Sequence, residues 1–290
     1  MVALLAVVLG PQEAAALSDA RPSTLRLADT GIEGAAELER AFAPFAERFT
    51  EITGVEMAFY PVSDRTAAAV ALEFDSVDMV LAGPSEYAII ASRQPVEIVW
   101  GLKRAEYGTR FAMRADSAFE SLEDLRGQSI ALGSVASTTN HITPAWMLVE
   151  AGPDLDADVD LVMAGDTRVQ ALVSGDVDAL GGGHRDLELI PQLDPDFELR
   201  VIADSGTMPR DPFIARAGLG SDCVTAIRDV VRDHEDELFA AFVAPADDEG
   251  FDEAQECSKY LGARFVYDIE DSEYDMVREA HALIGQPLDG

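Results

Sequence analysis

The segment SLEDLRGQSIALGSVASTTNHITPAWMLVEAG, residues 121–152, holds a complete strand, turn and helix. The short apolar run 129–133 is bounded by polar residues and reads as a buried strand; the spacing after it predicts a helix over 137–150. Ser137, Thr138, Thr139 and Asn140 stand where that helix begins. A helix start leaves backbone N–H groups without intrahelical partners and carries a partial positive charge. Three hydroxyls beside those donors make an oxyanion site that needs no lysine. Ordinary capping by Ser137 or Thr138 is the alternative, and it needs only one hydroxyl.

Working outward, the same alternation recurs. Upstream, 24–29 reads as a strand. Leu38, Phe42, Phe45, Phe49 and Ile52 follow at helical spacing over 35–53, and Gly54 ends that helix. Residues 55–62 form the next strand, Asp64 caps a helix, 77–82 is a strand, and 84–92 is a helix with Pro84 in its first turn. Around the opening segment the pattern begins afresh: strand 107–114, short helix 121–126, strand 160–164, helix 166–174, and strands 177–180 and 198–204. The glycines at 181–183 read as a loop, with an anion cradle as the weaker alternative. After a short apolar run at 213–215 the chain is mainly helical, at 221–243, 252–260 and 271–284.

Repeated β-α-β units imply an α/β fold in which each lobe is a mostly parallel sheet flanked by helices. Two such units, with crossings expected at 100–107 and 203–211, predict two lobes joined by two crossing strands. Residues 22–104 with 206–290 are assigned to lobe 1, and 105–205 to lobe 2. Ligands of such folds bind at the carboxyl ends of the strands, here in the cleft between the lobes.

The charge excludes several partners. The chain has 290 residues with 54 acids against 21 bases, a net charge of −33, and its only lysines are Lys103 and Lys259. Such a polyanion does not suit nucleic acid or an anionic membrane. The acids are scattered and do not form a tail, which predicts a solvated acidic surface of the halophilic kind; a merely acidic mesophilic protein is the alternative. Residues 1–9, MVALLAVVL, followed by Gly10, Pro11 and small residues, resemble a secretory signal without its basic region. Residues 1–20 are therefore expected to be a signal remnant or a disordered N-terminus, and the protein to be exported. Cys223 and Cys257 have no metal-ligand spacing; a single disulfide and two buried thiols both remain open.

Enzyme motifs are scarce: there is no GxSxG, HExxH, P-loop or GxGxxG. His141, His184, His234 and His281 are scattered, and His234 and His281 read as solvated. No catalytic constellation, metal site or cofactor is expected.

The segment 121–152 resembles the phosphate, phosphite and phosphonate-binding proteins of ABC importers, the PhnD-like family, in its DL-G element, strand and hydroxyl-rich helix start. FTEITGVEMAFYPVSDRTAAAVAL and DSVDMVLAGPSEYAII resemble that family's first lobe, GDTRVQALVSGDVDA its helix–strand segment, and MPRDPFIARAGL its return crossing. The likeness runs in order from Thr24 to Leu219. It implies a periplasmic-binding-protein type 2 fold and a monomer that takes a small oxyanion to a membrane permease. It places the protein outside the cell, associated with the cell surface. Carried across, the ligand residues are Ser137, Thr138, Thr139 and Asn140, with Tyr87 and Ser85 at a second turn and Asp211 on the return crossing. Arg65 stands where the family has Tyr, Gly165 where it commonly has His, and its downstream acid falls in His184-Arg185-Asp186. Arg65 and Arg185 are thus expected to clamp the oxyanion in place of Tyr and His. Two other readings use the same scaffold: a ligand-sensing module, and a thiamine-pyrimidine synthase-like enzyme, which would need a cysteine or histidine cluster in the cleft.

Overall fold

Short βα units feed two separate sheets in the computed structural model, which describes residues 22–31, 35–63, 65–243, 260 and 262–288. The expected N-terminal signal, the Asp64 cap, Cys257 and the helix over 252–260, except Tyr260, lie outside the described residues. The first sheet has strand order β11-β4-β10-β3-β1-β2. Here β1 is Thr24–Asp29, β2 Glu56–Phe59, β3 Met79–Leu81, β4 Val96–Lys103, β10 Asp211–Arg216 and β11 Arg264–Val266. The second has order β7-β6-β8-β5-β9. It comprises β5 Thr109–Arg114, β6 Ser129–Leu132, β7 Asp160–Met163, β8 Ala179–Gly183 and β9 Leu199–Asp204.

Each sheet is parallel through its βα strands, with β1 between β2 and β3 and β6 between β7 and β8. Pairing turns antiparallel where strands that change sheet join in: β10 against β3 and β4, and β5 against β8 and β9. The chain passes to the second sheet over 104–108 and returns over 205–210. The two connections lie side by side, with Met208 N–H donating to Tyr107 O at 2.8 Å and Ser205 N–H to Thr109 O at 2.9 Å. A Cβ at Gly108 would stand 2.2 Å from the Gly206 carbonyl oxygen, so only glycine allows this approach.

Helices cover both faces of both sheets. Helix α1 (Ala35–Thr53) sets Phe42, Phe45 and Phe49 fully buried on one face of the first sheet, as their spacing predicts. They join Trp100, Phe213, Phe242 and Phe265, and Trp100 stacks on Phe213 at 4.1 Å between centroids. Each such ring removed from water contributes roughly 1.5–3 kcal/mol. On the other face, α2 (Ala67–Glu73) and α3 (Pro84–Arg93) bury Leu72, Tyr87 and Ile90. In the second sheet, α4 (Thr143–Glu150) packs Met147 and Leu148 with Phe111 and Leu132. Helices α5 (Arg168–Ser174) and α6 (His184–Leu193) bring Val169, Leu172 and Ile190 to the opposite face.

The structure differs from the sequence expectations in several elements. Helix α6 is absent from the sequence reading because Pro191 interrupts its pattern and three glycines precede it. Those glycines are strand β8 and not a loop: a Cβ at Gly181 would meet Pro144 at 2.8 Å and Leu132 at 2.9 Å. Strand β11 also went unread, being three residues long. The helix expected over 221–243 is two, α7 (Ser221–Asp233) and α8 (Glu235–Phe242), separated at His234. Helix α9 (Asp275–Leu283) buries His281, which the sequence reading left in solvent; it is 3% exposed. Cys223 is buried in the first core.

Candidate functional site

A cleft of about 560 Å³ opens where the carboxyl ends of β1, β3, β6 and β8 face the two connections. That volume is in the range of small-molecule sites. Among the described residues, three helices begin on its wall. The chain leaves β6 through Gly133, whose N–H donates to Asn140 O at 2.7 Å, and turns at Ala136, a non-glycine residue at φ 66°. Such a conformation costs about 1–2 kcal/mol and is characteristic of functional turns. The Ala136 N–H donates to Nδ1 of His141 at 3.1 Å, which holds the turn. A single π turn, Thr138–Ile142, then leads into α4. Ser137 occupies the N-cap position without a side-chain cap bond, and the first turn carries no acid. Among the described residues the N–H groups of Thr138, Thr139 and Asn140 have no acceptor.

The other two starts are closed by the protein itself. At α3 the Glu86 carboxylate folds over Gly83, so closely that a Cβ there would lie 2.4 Å from Oε2. Arg65 Nη1 donates to Glu86 Oε1 at 2.6 Å. At α6 the Gly183 N–H donates to Asp186 Oδ2 at 2.9 Å, and Arg168 holds both oxygens of Asp186 at 3.0 and 2.6 Å.

A third pair joins the connections. Arg104 Nε donates to Asp211 Oδ2 at 2.6 Å, with its guanidinium 4.1 Å over the Tyr107 ring. Burial raises the Tyr107 phenol above its ordinary range, and Asp211 adds to the shift. Tyr260 closes the wall with its hydroxyl donating to Asp29 Oδ2 at 2.8 Å.

The expected site residues divide accordingly. Ser137, Thr138, Thr139, Asn140, Arg65, Arg185 and Asp211 all line the cleft. The Thr138 hydroxyl accepts from Ser85 N–H at 2.9 Å and donates toward Glu86 Oε2 at 3.4 Å, so it ties the second-sheet helix to the first. Asn140 Oδ1 accepts from Gly183 N–H at 2.8 Å. Arg185 lines the cleft with no ion pair among the described residues, and burial, with Arg104 nearby, lowers its pKa. Ser85 and Tyr87 do not line the cleft. The Ser85 hydroxyl lies 2.8 Å from His281 Nε2, and the Tyr87 hydroxyl donates to Asp271 at 2.8 Å. The sequence reading missed Arg104, Tyr107, Arg168, Glu86, Asp29 and Tyr260. The signal for Glu86 and Asp186 was present: each stands three residues after the glycine that precedes its helix.

Two mixed sheets joined by two connections around a polar cleft define a two-lobed solute-binding protein. Residues 31–260 match the ABC-transporter phosphonate periplasmic substrate-binding proteins, and the chain belongs to that family. Its members are substrate-binding proteins and not enzymes, which sets the expected transport role above the sensing and enzyme readings. A small-molecule ligand, a permease partner and an extracytoplasmic location follow from membership. PhnD1 of Prochlorococcus marinus, solved with methylphosphonate, has a TM-score of 0.69 at 16% identity, covering 92% of this chain and 100% of that one. A binding component of an ABC phosphonate transporter from Pseudomonas aeruginosa gives 0.68 at 18%, covering 90% and 86%. The aliphatic sulphonate binding protein SsuA of Escherichia coli gives 0.63 at 13%, covering 92% and 88%. At these identities the likeness is one of fold.

Proposed function

We propose that the protein captures a small oxyanion of the phosphonate, phosphite or phosphate kind at residues 137–140 and delivers it to its permease. The observation that carries this reading is the contrast among the helix starts: of the three on the cleft wall among the described residues, only this one lacks a carboxylate of its own. Its N–H groups, the Ser137 and Thr139 hydroxyls and the Arg185 guanidinium receive the anion's oxygens. Asn140 and Thr138 hold the frame, and Arg65 and Asp211 contribute as parts of ion pairs. Attraction is local, from dipoles and one spare cation, because the net charge of −33 repels anions at long range. Lobe 1 comprises 22–104 with 206–290 and lobe 2 105–205; they close on the ligand as a monomer at the cell surface.

The scattered acids and two lysines support a halophilic source, so binding is tested in molar salt, where the Debye length falls to about 3 Å. A thermal-shift panel of phosphate, phosphite, methylphosphonate, sulfate and nitrate is expected to raise the melting temperature for at least one of the first three. No shift with any of them removes the proposal.

A further inference from the structure

Helix α9, near the C-terminus, packs on α3 of the first sheet and on the π turn and α4 of the second. Three polar side chains meet at that junction, Ser85, Thr138 and His281, and all are buried. Thr138 lines the cleft, whereas Ser85 and His281 lie behind its wall. The geometry fixes the direction of their hydrogen bonds. His281 Nδ1 is 3.1 Å from the Gln286 carbonyl oxygen, and a carbonyl can only accept. Burial lowers the His281 pKa, against the pull of the Gln286 carbonyl and the Glu86 carboxylate, which favours the neutral ring. That ring carries its proton on Nδ1 and keeps Nε2 as an acceptor. The Ser85 hydroxyl, 2.8 Å from Nε2, therefore donates to it. The Ser85 N–H donates in turn to the Thr138 hydroxyl at 2.9 Å, and that hydroxyl donates toward Glu86 Oε2 at 3.4 Å. At the far end the Gln286 N–H donates to the His281 carbonyl at 3.0 Å.

A line of donors and acceptors thus runs from the C-terminal segment through α3 to the cleft wall. Apolar side chains would hold the same elements together by buried area, which has no direction. Buried polar groups cost desolvation unless each finds its partner, so a satisfied line favours one arrangement of the three elements. Resting on the anion reading proposed above, we infer that His281 is a positioning residue of the ligand cleft: its Nε2 orients Ser85, and Ser85 sets where Thr138 stands on the wall.

Two measurements on the full chain in molar salt test this. Nitrogen NMR of the histidine rings at neutral pH is expected to show His281 as the Nδ1–H tautomer, its signals assigned by their loss in His281→Gln. A ring protonated on Nε2 alone overturns the inference. Calorimetry with methylphosphonate, phosphate and phosphite then compares variants. Ser85→Ala removes the hydroxyl and His281→Leu the acceptor, and each is expected to weaken binding about fivefold. The double variant should be no weaker than either single one, because both cut the same link. His281→Gln, whose Oε1 can accept the same proton, should restore most of the loss. Undiminished affinity in Ser85→Ala, losses that add in the double variant, or a glutamine as weak as leucine each overturn the inference and leave the anion reading standing. Ser85→Ala removes only the hydroxyl and decides the question should His281→Leu not fold. Absence of binding of all three probes by the wild type overturns the anion reading, and the inference with it.

Discussion

The α3 and α6 starts and the start at Thr138 sit on the same cleft wall and meet the same electrostatic demand in opposite ways. The first two place an acid three residues beyond a glycine and fasten it with an arginine from elsewhere, Glu86 with Arg65 and Asp186 with Arg168. At α6 the Gly183 N–H is held by Asp186, and at α3 the Gly83 N–H goes to Thr30 and the Ser85 N–H to Thr138, so both starts are framework. The third has Ser137, Thr138 and Thr139 where an acid would stand and a turn strained at Ala136. A helix start completed from within is structural; one left open is available to a ligand.

The largest effect is expected at a closed start. Asp186→Asn leaves Arg168, with a side chain 15% exposed, beside a neutral amide. Removing one member of a buried pair costs about 3–5 kcal/mol, read by denaturant unfolding in molar salt. A loss below about 1 kcal/mol would mean that the pair does not hold α6.

Next comes conversion of the open start into a closed one. Ser137→Asp supplies the missing carboxylate, which caps the helix and repels the ligand. Affinity is expected to fall about a hundredfold, close to 3 kcal/mol, by calorimetry. Stability should hold or gain about 0.5–2 kcal/mol. Undiminished affinity would show that the anion is held elsewhere.

Acid should strain the turn that serves the open start. Burial, reinforced by His281, pushes the His141 pKa from 6.5 down to about 4. Between those values the unfolded chain binds a proton that the folded one refuses, so stability increases with pH across the window. The contribution is full above about pH 6.5 and is lost as pH falls toward 4, on the order of 3 kcal/mol. Thermal melts of the wild type and His141→Gln over that range check it, with the variant expected to show the shallower slope.

The smallest effects separate two neighbouring hydroxyls. Ser137→Ala removes one donor from the open start and should weaken binding about fivefold, near 1 kcal/mol, with stability unchanged. Thr138→Val instead cuts the link to Ser85 and Glu86. It should raise the radius of gyration of the bound protein in scattering, a readout that Ser137→Ala leaves alone.

The βα units were legible because their apolar residues repeat at the periods of strand and helix: Phe42, Phe45 and Phe49 face one core as their spacing requires. The helix start at 137–140 was legible for a similar reason, since its hydroxyls are adjacent in the chain. Helix α6 was hidden by Pro191 and the glycines before it, and β11 by its brevity.

The sequence by itself determined the α/β pattern, the acidic surface and the position of the open helix start, all of which depend on neighbours within a few residues. Only the tertiary structure decided which charges meet. Arg104 and Asp211 are 107 positions apart in the chain, Arg65 and Glu86 are 21, and Tyr260 reaches Asp29 across 231. It also turned Ser85 and Tyr87 away from the cleft, toward His281 and Asp271 on the far C-terminal segment. An ion pair is set by distance in space, and local spacing carries no record of partners that folding brings from a distant part of the chain.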